Sequence, residues 1–544
     1  MRACALGGGC LPWDNAGRSG SLIRFAFSSS SWGRGLTGVL PASADTDSAE
    51  RPAVPLELVA KLSEALATEG IVYCHWKSND ALDRAVRGDS DLDLLVRRRD
   101  AKRFIAVIRG LGFKDARSPS IKRVPGVFHS YGLDEPSGRL VHIHAHNQLV
   151  LGDDTTKNYR LPIEDAYLDS ADPNGVLPLP VPAPDFELVV FVVRMVLKHS
   201  TWDAIASHHG RLSISEAREL DHLMNQADPE RARSIVREYL PFVGDALWSR
   251  CRRCIEGRAT VWFRVRTAHR LERALGPYAR RRHGADSVVR LWRRGRIVIR
   301  RHMLHRPSPR GRLDGGGALI AVVGGDGAGK STVVDELKRW LAEAFATTTV
   351  HLGKPPSSLT SSAVRRVWRR GVRGRMREPK VSGAFLAASD GTSMSRRASA
   401  RLVGQVTTAR DRYLTYRGAR RFASGGGIVI SDRFPLPEIE LMDGPLARRM
   451  LDTPGGSPLV TSLARLESKY YERILDPDIL VVLSVDPDLA VERKRWIDVE
   501  DVVRSRCEEI RDLDWDRLRA VVVDASRSKE DVLAEIKSAI WSRL

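Results

Sequence analysis

The residues best suited to chemistry lie between positions 322 and 332, in the stretch VVGGDGAGKST. The spacing G-x4-G-K-S is met by Gly324, Gly329, Lys330 and Ser331. Glycines let backbone N–H groups turn inward around phosphate oxygens, and the N-terminus of a following helix adds a favourable dipole. In such a loop the lysine would reach the β- and γ-phosphates of a nucleotide and the serine would ligate Mg²⁺. We therefore predict a binding loop for ATP and Mg²⁺ that comprises Gly324, Gly325, Asp326, Gly327, Ala328, Gly329, Lys330, Ser331 and Thr332.

The segments around this loop are those that would position it. An apolar run precedes the loop, and a stretch with helical spacing, STVVDELKRWLAEAF, follows it. Further apolar runs cover 347–353, 425–434, 477–487 and 518–526, with helical stretches between them. Five short buried strands separated by helices predict an α/β fold with a doubly wound parallel sheet. The carboxyl ends of these strands would carry the loop, Asp432-Arg433 and Asp486.

Residues 318–544 resemble thymidylate kinase and its relatives. The resemblance rests on four stretches that occur in the family's order: GGDGAGKST, SDRF, PDILVVLSVDPDLAVERKR and VVVDAS. The resemblance implies transfer of the γ-phosphoryl group of ATP to a nucleoside monophosphate with Mg²⁺. By motif match, Arg433 would grip the acceptor phosphate, and Asp432 would organise the metal together with Ser331. Arg493 and Arg495 match the family's basic lid. With Lys330, these are the predicted catalytic residues. A surface ion pair is the alternative for Asp432 and Arg433, and a solvated helix face is the alternative for Arg493 and Arg495.

Several positions depart from that family. Val323 stands where the family has a glutamate, and HLGKPPSSLTSS replaces its thymidylate-binding stretch. An arginine-rich insertion follows at 365–377. The prediction is therefore an ATP-dependent phosphotransferase whose small acceptor is not identified. A nucleotide-gated binding module, in which ATP drives a change of shape, is the alternative from a different class.

Paired carboxylates mark the N-terminal region. Asp91 and Asp93 lie thirteen and fifteen residues after Ser78, and strand alternation would place both on one face of a strand. Two such carboxylates could hold Mg²⁺ against a triphosphate. The arrangement resembles the nucleotidyltransferase superfamily, in which a Gly-Ser turn precedes an Asp-x-Asp strand. Here Lys77 stands in place of the glycine before Ser78. A merely substrate-binding domain, or solvated carboxylates, are the alternatives.

The resemblance to nucleotidyltransferases implies a third acid on a later strand, but the corresponding strand here carries histidines instead. His142, His144 and His146 would share one face of the strand LVHIHAHN. They are interpreted either as metal ligands or as structural histidines. A tandem of this domain with a thymidylate-kinase-like domain resembles a bacterial group linked to surface-polysaccharide synthesis, which gives a second alternative function.

The 544-residue chain has a formal charge of +20 and a pI near 10.0. Residues 250–313 contain 20 arginines and 3 acidic residues, a net charge of +17. Trp-Arg interleaving there suits an anionic membrane surface, and nucleic acid is less favoured because no nucleic-acid motif is present. A basic connector packed against the kinase-like region is the alternative.

The remaining features predict a cytoplasmic protein, with peripheral membrane contact left open. Its six cysteines show no disulfide or zinc spacing and are interpreted as reduced thiols. The most apolar run, 186–197, is short and contains Arg194, which predicts a buried helix rather than a membrane span. The oligomeric state is not predicted. The predicted organisation is a disordered leader (1–54), a nucleotidyltransferase-like domain (55–183), a helical region (184–249), a basic connector (250–317) and a kinase-like domain (318–544).

Overall fold

The computed structural model describes residues 54–119, 123–172, 178–206, 210–257, 259–303, 310–358, 361–363, 366, 396–439, 458–494 and 499–544. The predicted leader, apart from its last residue, the arginine-rich insertion, apart from Arg366, and Arg495 lie outside these residues. In the described part, helices α1 to α17 span Glu57–Thr68, Leu82–Val86, Ala101–Gly110, Glu164–Asp169, Pro184–His199, Trp202–Ala206, Ile214–Gln226, Pro229–Tyr239, Gly244–Ile255, Val261–Ala274, His283–Val298, Lys330–Ala344, Arg396–Ser424, Pro458–Tyr471, Pro487–Lys494, Glu500–Asp512 and Lys529–Arg543. Strands β1 to β13 span Tyr73–His75, Leu92–Val96, Lys114–Arg117, Val127–Asp134, Arg139–His146, Val150–Leu151, Tyr159–Arg160, Arg312–Leu313, Leu319–Gly324, Thr347–His351, Ile428–Asp432, Ile479–Ser484 and Val521–Asp524.

The C-terminal region forms a five-stranded sheet in the order β10-β11-β9-β12-β13. All four strand pairs are parallel, which confirms the predicted five-stranded parallel sheet. The central strand β9 is buried along its length because helices cover both faces of the sheet. On one face Ile320 and Val322 pack with α12 and α17. On the other face Leu319 and Ala321 pack with α13 and α16.

The edge strands of this sheet differ from the prediction of five buried strands. β10 is half-buried to exposed, and in β13 only Val523 is buried. An edge strand has a neighbour on one side only, so apolar residues at its outer rim keep contact with solvent.

The N-terminal sheet has six strands in the order β1-β2-β5-β4-β3-β8. β2 and β5 are parallel, whereas the other pairs are antiparallel. One face carries Leu92, Leu94, Val141 and Ile143, which pack against α1 and α3 in a continuous apolar core. This core fixes which side chains of β2 and β5 point to the opposite face, because strand side chains alternate.

The opposite face of the N-terminal sheet contacts the C-terminal region. Tyr131 and Leu140 pack into the same core as Phe345 and Trp541. The Trp541 indole N–H also donates to the Gly112 carbonyl at 3.0 Å. The two halves of the chain therefore share apolar core as well as covalent connection.

The described segment that precedes β9 contains the two-residue strand β8. Leu313 of β8 pairs with Ala116 of β3 in the N-terminal sheet. Its backbone N–H donates to the Gly426 carbonyl of the C-terminal region at 2.9 Å. This short segment thus hydrogen-bonds to both halves of the protein.

The helical region packs on the N-terminal sheet around α5. Helix α5 contains the predicted 186–197 helix, and its apolar residues share one core with Trp76, Leu95 and helices α7 to α10. In the described residues, none of the helices combines the length and apolarity required to cross a bilayer. The cysteines among the described residues are free and buried: Cys74, Cys251, Cys254 and Cys507.

Some arginines of the basic segment, residues 250–313, are buried. Arg290 of α11 is 2% exposed and forms ion pairs with Asp203 and Asp286, each at 3.2 Å. The outer side of α11 is different, because Val288, Leu291 and Trp292 are exposed there. Helix α11 therefore joins a buried charge network to an exposed apolar surface.

Candidate functional site

The glycine-rich loop lies between the carboxyl end of β9 and the start of α12. Gly327 and Gly329 have φ angles of +85° and +84°, in the left-handed region that favours glycine. A Cβ added at Gly325 would lie 2.5 Å from Cys507 Sγ, and one at Gly327 would lie 2.8 Å from the Ala490 carbonyl oxygen. Both backbone conformation and close packing therefore require glycine in this loop.

Lys330 is the first residue of α12, directly after Gly329 at the helix N-cap. Its ammonium group donates to the carbonyls of Gly324 at 2.9 Å and Gly325 at 2.7 Å, which folds the side chain back over the loop. Burial lowers the pKa of Lys330, and the nearby Asp326 carboxylate opposes that shift. The first-turn N–H groups of a helix have no partners within the helix, so the loop can present several donors and one ammonium to an anion.

Asp326 connects the cations of the site. Its carboxylate accepts from Arg506 at 2.5 Å and lies 3.6 Å from Arg433 and 3.9 Å from Lys330. Burial disfavours ionisation of Asp326, but the Arg506 hydrogen bond and the charges of Lys330 and Arg506 outweigh it and lower its pKa. Asp326 therefore stays ionised and holds cations on different elements around one loop.

Asp432 and Arg433 lie beside this loop because β11 pairs with β9, with Asp432 opposite Val322. The Asp432 Oδ1 atom is buried and has no hydrogen-bond partner among the described residues. Arg433 adopts a left-handed φ of +58° directly after the strand. A buried carboxylate oxygen without a partner suits a cation, since hard cations such as Mg²⁺ prefer oxygen ligands.

Arg493 reaches the loop from the other side. It lies in α15 and donates to the carbonyls of Ala525 at 3.2 Å and Gly327 at 3.4 Å. Ser331 and Thr332 are exposed on the first turn of α12. The structure thus brings together the predicted loop, Asp432, Arg433 and Arg493, whereas Arg495 falls outside the described residues.

Sequence reasoning missed Arg506 and Cys507. Both lie in α16, some 180 residues after Asp326, and Cys507 Sγ approaches the Asp326 carbonyl at 3.6 Å. No motif spacing indicates these contacts, because they depend on how α16 packs against the loop. A four-cation site (Lys330, Arg433, Arg493 and Arg506) results, which can neutralise several negative charges of a polyphosphate.

A second group of polar residues lies in the N-terminal sheet. β2 and β5 are in parallel register with Asp93 opposite His144, and His144 Nδ1 lies 2.8 Å from Asp93 Oδ1. Asp91 and His142 make the equivalent contact at 2.7 Å. Lys77 also pairs with Asp93, at 2.9 Å. The predicted carboxylates and histidines therefore meet as pairs across two strands.

His146 is the most enclosed member of this group. It is 0% exposed, and neither ring nitrogen has a hydrogen-bond partner among the described residues. Trp76 contacts its ring edge-on with 5.0 Å between ring centroids, and His144 lies 4.5 Å away by the same measure. Burial lowers the pKa of His146 well below its usual value, and the charge of a protonated His144 would lower it further. The imidazole is therefore neutral at pH 7, as a metal-ligating histidine must be.

Comparison with known proteins gives two distant relatives. A protein of Escherichia coli (strain K12) named "Uncharacterized ATP-binding protein YghR" is 25% identical over 226 residues, which cover 41% of this chain and 86% of the relative. The protein of the same name from Escherichia coli O6:H1 (strain CFT073) gives the same values. No protein-family model matches the chain.

Proposed function

We propose that the chain binds ATP at the glycine-rich loop and is a Mg²⁺-dependent phosphotransferase of the thymidylate-kinase-like, P-loop type. The proposal rests on one observation: the loop, Asp432 and Arg433 lie together at the carboxyl ends of β9 and β11. Asp326 lies close to both Arg433 and Lys330. Ligands of open α/β sheets bind at the carboxyl ends of the strands. The distant relative is named as an ATP-binding protein, which supports the first half of the proposal.

In this reaction the bond between the γ-phosphorus and the β–γ bridging oxygen breaks, and a bond forms from that phosphorus to an acceptor oxygen. ADP leaves, and the acceptor hydroxyl proton, where there is one, passes to solvent. When bound, Mg²⁺ would supply positive charge at the β- and γ-phosphate oxygens, with Ser331 and Asp432 as its protein ligands. Lys330 would leave its two carbonyl partners and donate to the phosphates. Arg433 and Arg493 would hold the transferring group and the acceptor, since phosphoryl transfer depends mainly on positioning and charge neutralisation.

The test uses ATP labelled at the γ-phosphate and a panel of nucleoside monophosphates, sugars and polyprenyl acceptors. We expect transfer of label to one acceptor class. Arg433→Ala is expected to raise the KM for that acceptor by about 10- to 100-fold, because a charge-assisted hydrogen bond is lost. The affinity for ATP should change far less. Arg339→Ala is the matched control, because Arg339 is an exposed arginine of α12 that pairs with nearby Glu336.

Two outcomes would separate the alternatives. If ATP binds with normal Mg²⁺ dependence but no label reaches any acceptor or water, the phosphotransferase proposal fails and the nucleotide-gated module stands. If Arg433→Ala and Arg339→Ala change KM equally, Arg433 does not hold the acceptor.

A second candidate function is contact with an anionic membrane through α11. The exposed apolar residues on this helix follow helical spacing, and Ile299 and Met303 continue them in the next turns. Val288, Leu291, Trp292, Ile299 and Met303 are 66%, 50%, 56%, 49% and 74% exposed. Arg296 lies 4.9 Å from the Trp292 ring, within a segment whose net charge is +17. Apolar residues flanked by arginines match the interface of a bilayer with anionic headgroups.

Replacing two of these residues tests the contact. We expect the protein to sediment with vesicles containing phosphatidylglycerol more than with pure phosphatidylcholine vesicles. The double change Leu291→Ser and Trp292→Ser should lower the anionic-vesicle affinity by about 10-fold or more, because apolar area is lost from the interface. Trp202→Ser is the control, since Trp202 is 48% exposed but lies in α6. Equal sedimentation with both vesicle types, or no effect of the double change, would contradict this candidate.

A further inference from the structure

A donor set of one carboxylate and two imidazoles lies in the N-terminal sheet. Asp93 of β2 and His144 and His146 of β5 each offer one ligand atom, and these atoms lie within 4.8 Å of one another. The two strands are neighbours in parallel register, so the backbone holds these residues together.

The state of His146 indicates that the group has a ligand to bind. A neutral imidazole carries one N–H donor and one lone pair, and both lose their water on burial. His146 is completely buried among Trp76, His144 and the sheet, yet neither nitrogen has a partner among the described residues. A buried polar group without a partner costs free energy, and coordination of a metal would satisfy the lone pair.

From this geometry we propose that Asp93, His144 and His146 bind one transition-metal ion of the Zn²⁺ class, distinct from the Mg²⁺ proposed at the glycine-rich loop. Imidazole nitrogens suit Zn²⁺, Fe²⁺ or Co²⁺, whereas Mg²⁺ prefers oxygen ligands and near-octahedral geometry. The two imidazoles beside Asp93 therefore favour the Zn²⁺ class there, and Mg²⁺ held by Asp91 and Asp93 stays the alternative prediction. Asp91 pairs with His142 and has a side chain that is 54% exposed, which places it beside the ion's site rather than in it.

The ion requires only small side-chain movements. Ligand atoms about 2.1 Å from a tetrahedral ion lie about 3.4 Å apart, whereas His144 Nδ1 and Asp93 Oδ1 are 2.8 Å apart. The metal would replace the hydrogen bond that joins them. Three protein ligands leave a coordination position open, as in catalytic zinc sites. Lys77, which lies 2.9 Å from Asp93, would border that position, so an anionic ligand is favoured there.

The test is metal binding by the full-length, tag-free chain after chelation and desalting. Titration with Co²⁺, followed by visible absorption, and with Zn²⁺, against a chromogenic chelator, is expected to show one tight site for each chain. Asp93→Asn and His144→Ala should each weaken the affinity by at least about 100-fold, since loss of an outer partner alone costs about 10- to 100-fold. The Co²⁺ spectrum should change in both variants.

Matched controls keep the result interpretable. His142→Ala alters a histidine on the same face of β5 that pairs with Asp91, and it should retain the tight site. Lys330→Ala should also retain it, which separates this proposal from nucleotide binding. His146→Phe requires a circular-dichroism check of folding, because His146 is buried. Asp93→Asn keeps side-chain size and serves as the second variant. The proposal is overturned if the parent chain has no tight site. It is also overturned if a tight site survives Asp93→Asn and His144→Ala, as a site at Cys251 and Cys254 would.

Discussion

Lys330→Ala is expected to reduce Mg²⁺-dependent ATP turnover by about 100- to 1000-fold, because under the proposed function its ammonium group would stabilise the transferring phosphate. The side chain is enclosed by the loop carbonyls of Gly324 and Gly325 and lies near Asp326. Replacing Lys330 by alanine therefore removes positive charge from the centre of the site. Single-turnover assays with labelled ATP measure the change.

The control for this prediction is Lys338→Ala. Lys338 lies on the same helix, α12, but is exposed, so turnover should stay within about two-fold of the parent, as is usual for surface substitutions. Calorimetry with ATP and Mg²⁺ separates binding from turnover. Equal turnover by Lys330→Ala and Lys338→Ala would remove the assignment of the glycine-rich loop as the phosphate site.

Trp541→Ala is expected to lower the free energy of unfolding by about 3–5 kcal/mol, the usual cost of removing a buried tryptophan. Trp541 is 6% exposed in the core shared by the two halves. Its ring lies 6.1 Å from Trp340 and 6.2 Å from Phe345, centroid to centroid. Because this core joins the N-terminal sheet to the parallel sheet, we also expect unfolding of the variant to separate into two transitions, measured by calorimetry and circular dichroism.

Trp541→Phe distinguishes packing from hydrogen bonding. Phenylalanine keeps most of the apolar contact but loses the indole N–H that donates to Gly112. We therefore expect a smaller decrease in the free energy of unfolding: about 1 kcal/mol for the hydrogen bond, in addition to the effect of the lost side-chain volume. If Trp541→Ala unfolds in the same single transition as the parent and costs no more than Trp541→Phe, the shared core does not couple the two halves.

Local patterns explain which parts of the fold were predictable. The five strands of the parallel sheet were predicted from short apolar runs, although β10, TTTVH, holds a single apolar residue. The loop was predicted because its glycines and Lys330 follow fixed spacing. The N-terminal strands β3, β4 and β8 were not predicted. β3, KDAR, has no apolar alternation, and β8 has only two residues, so neither carries a periodic signal.

The candidate sites show the same division. Alternation along β2 and β5 predicted that Asp91 and Asp93 share a face, as do His142, His144 and His146. It did not predict that each carboxylate would meet a histidine, because that depends on the register between strands some 51 residues apart. The burial of His146 beside Trp76 likewise depends on tertiary packing.

The sequence by itself determined the glycine turn, the parallel sheet and the chemical types of the residues at its strand ends, because backbone preference and apolar period act over a few neighbouring residues. Only the tertiary structure decided that Arg506 pairs with Asp326 and that Trp541 lies against the N-terminal half. It also decided that Asp93, His144 and His146 lie close together. These contacts join residues distant in the chain, and they form because burying apolar surface brings whole helices and sheets together, which no local pattern encodes.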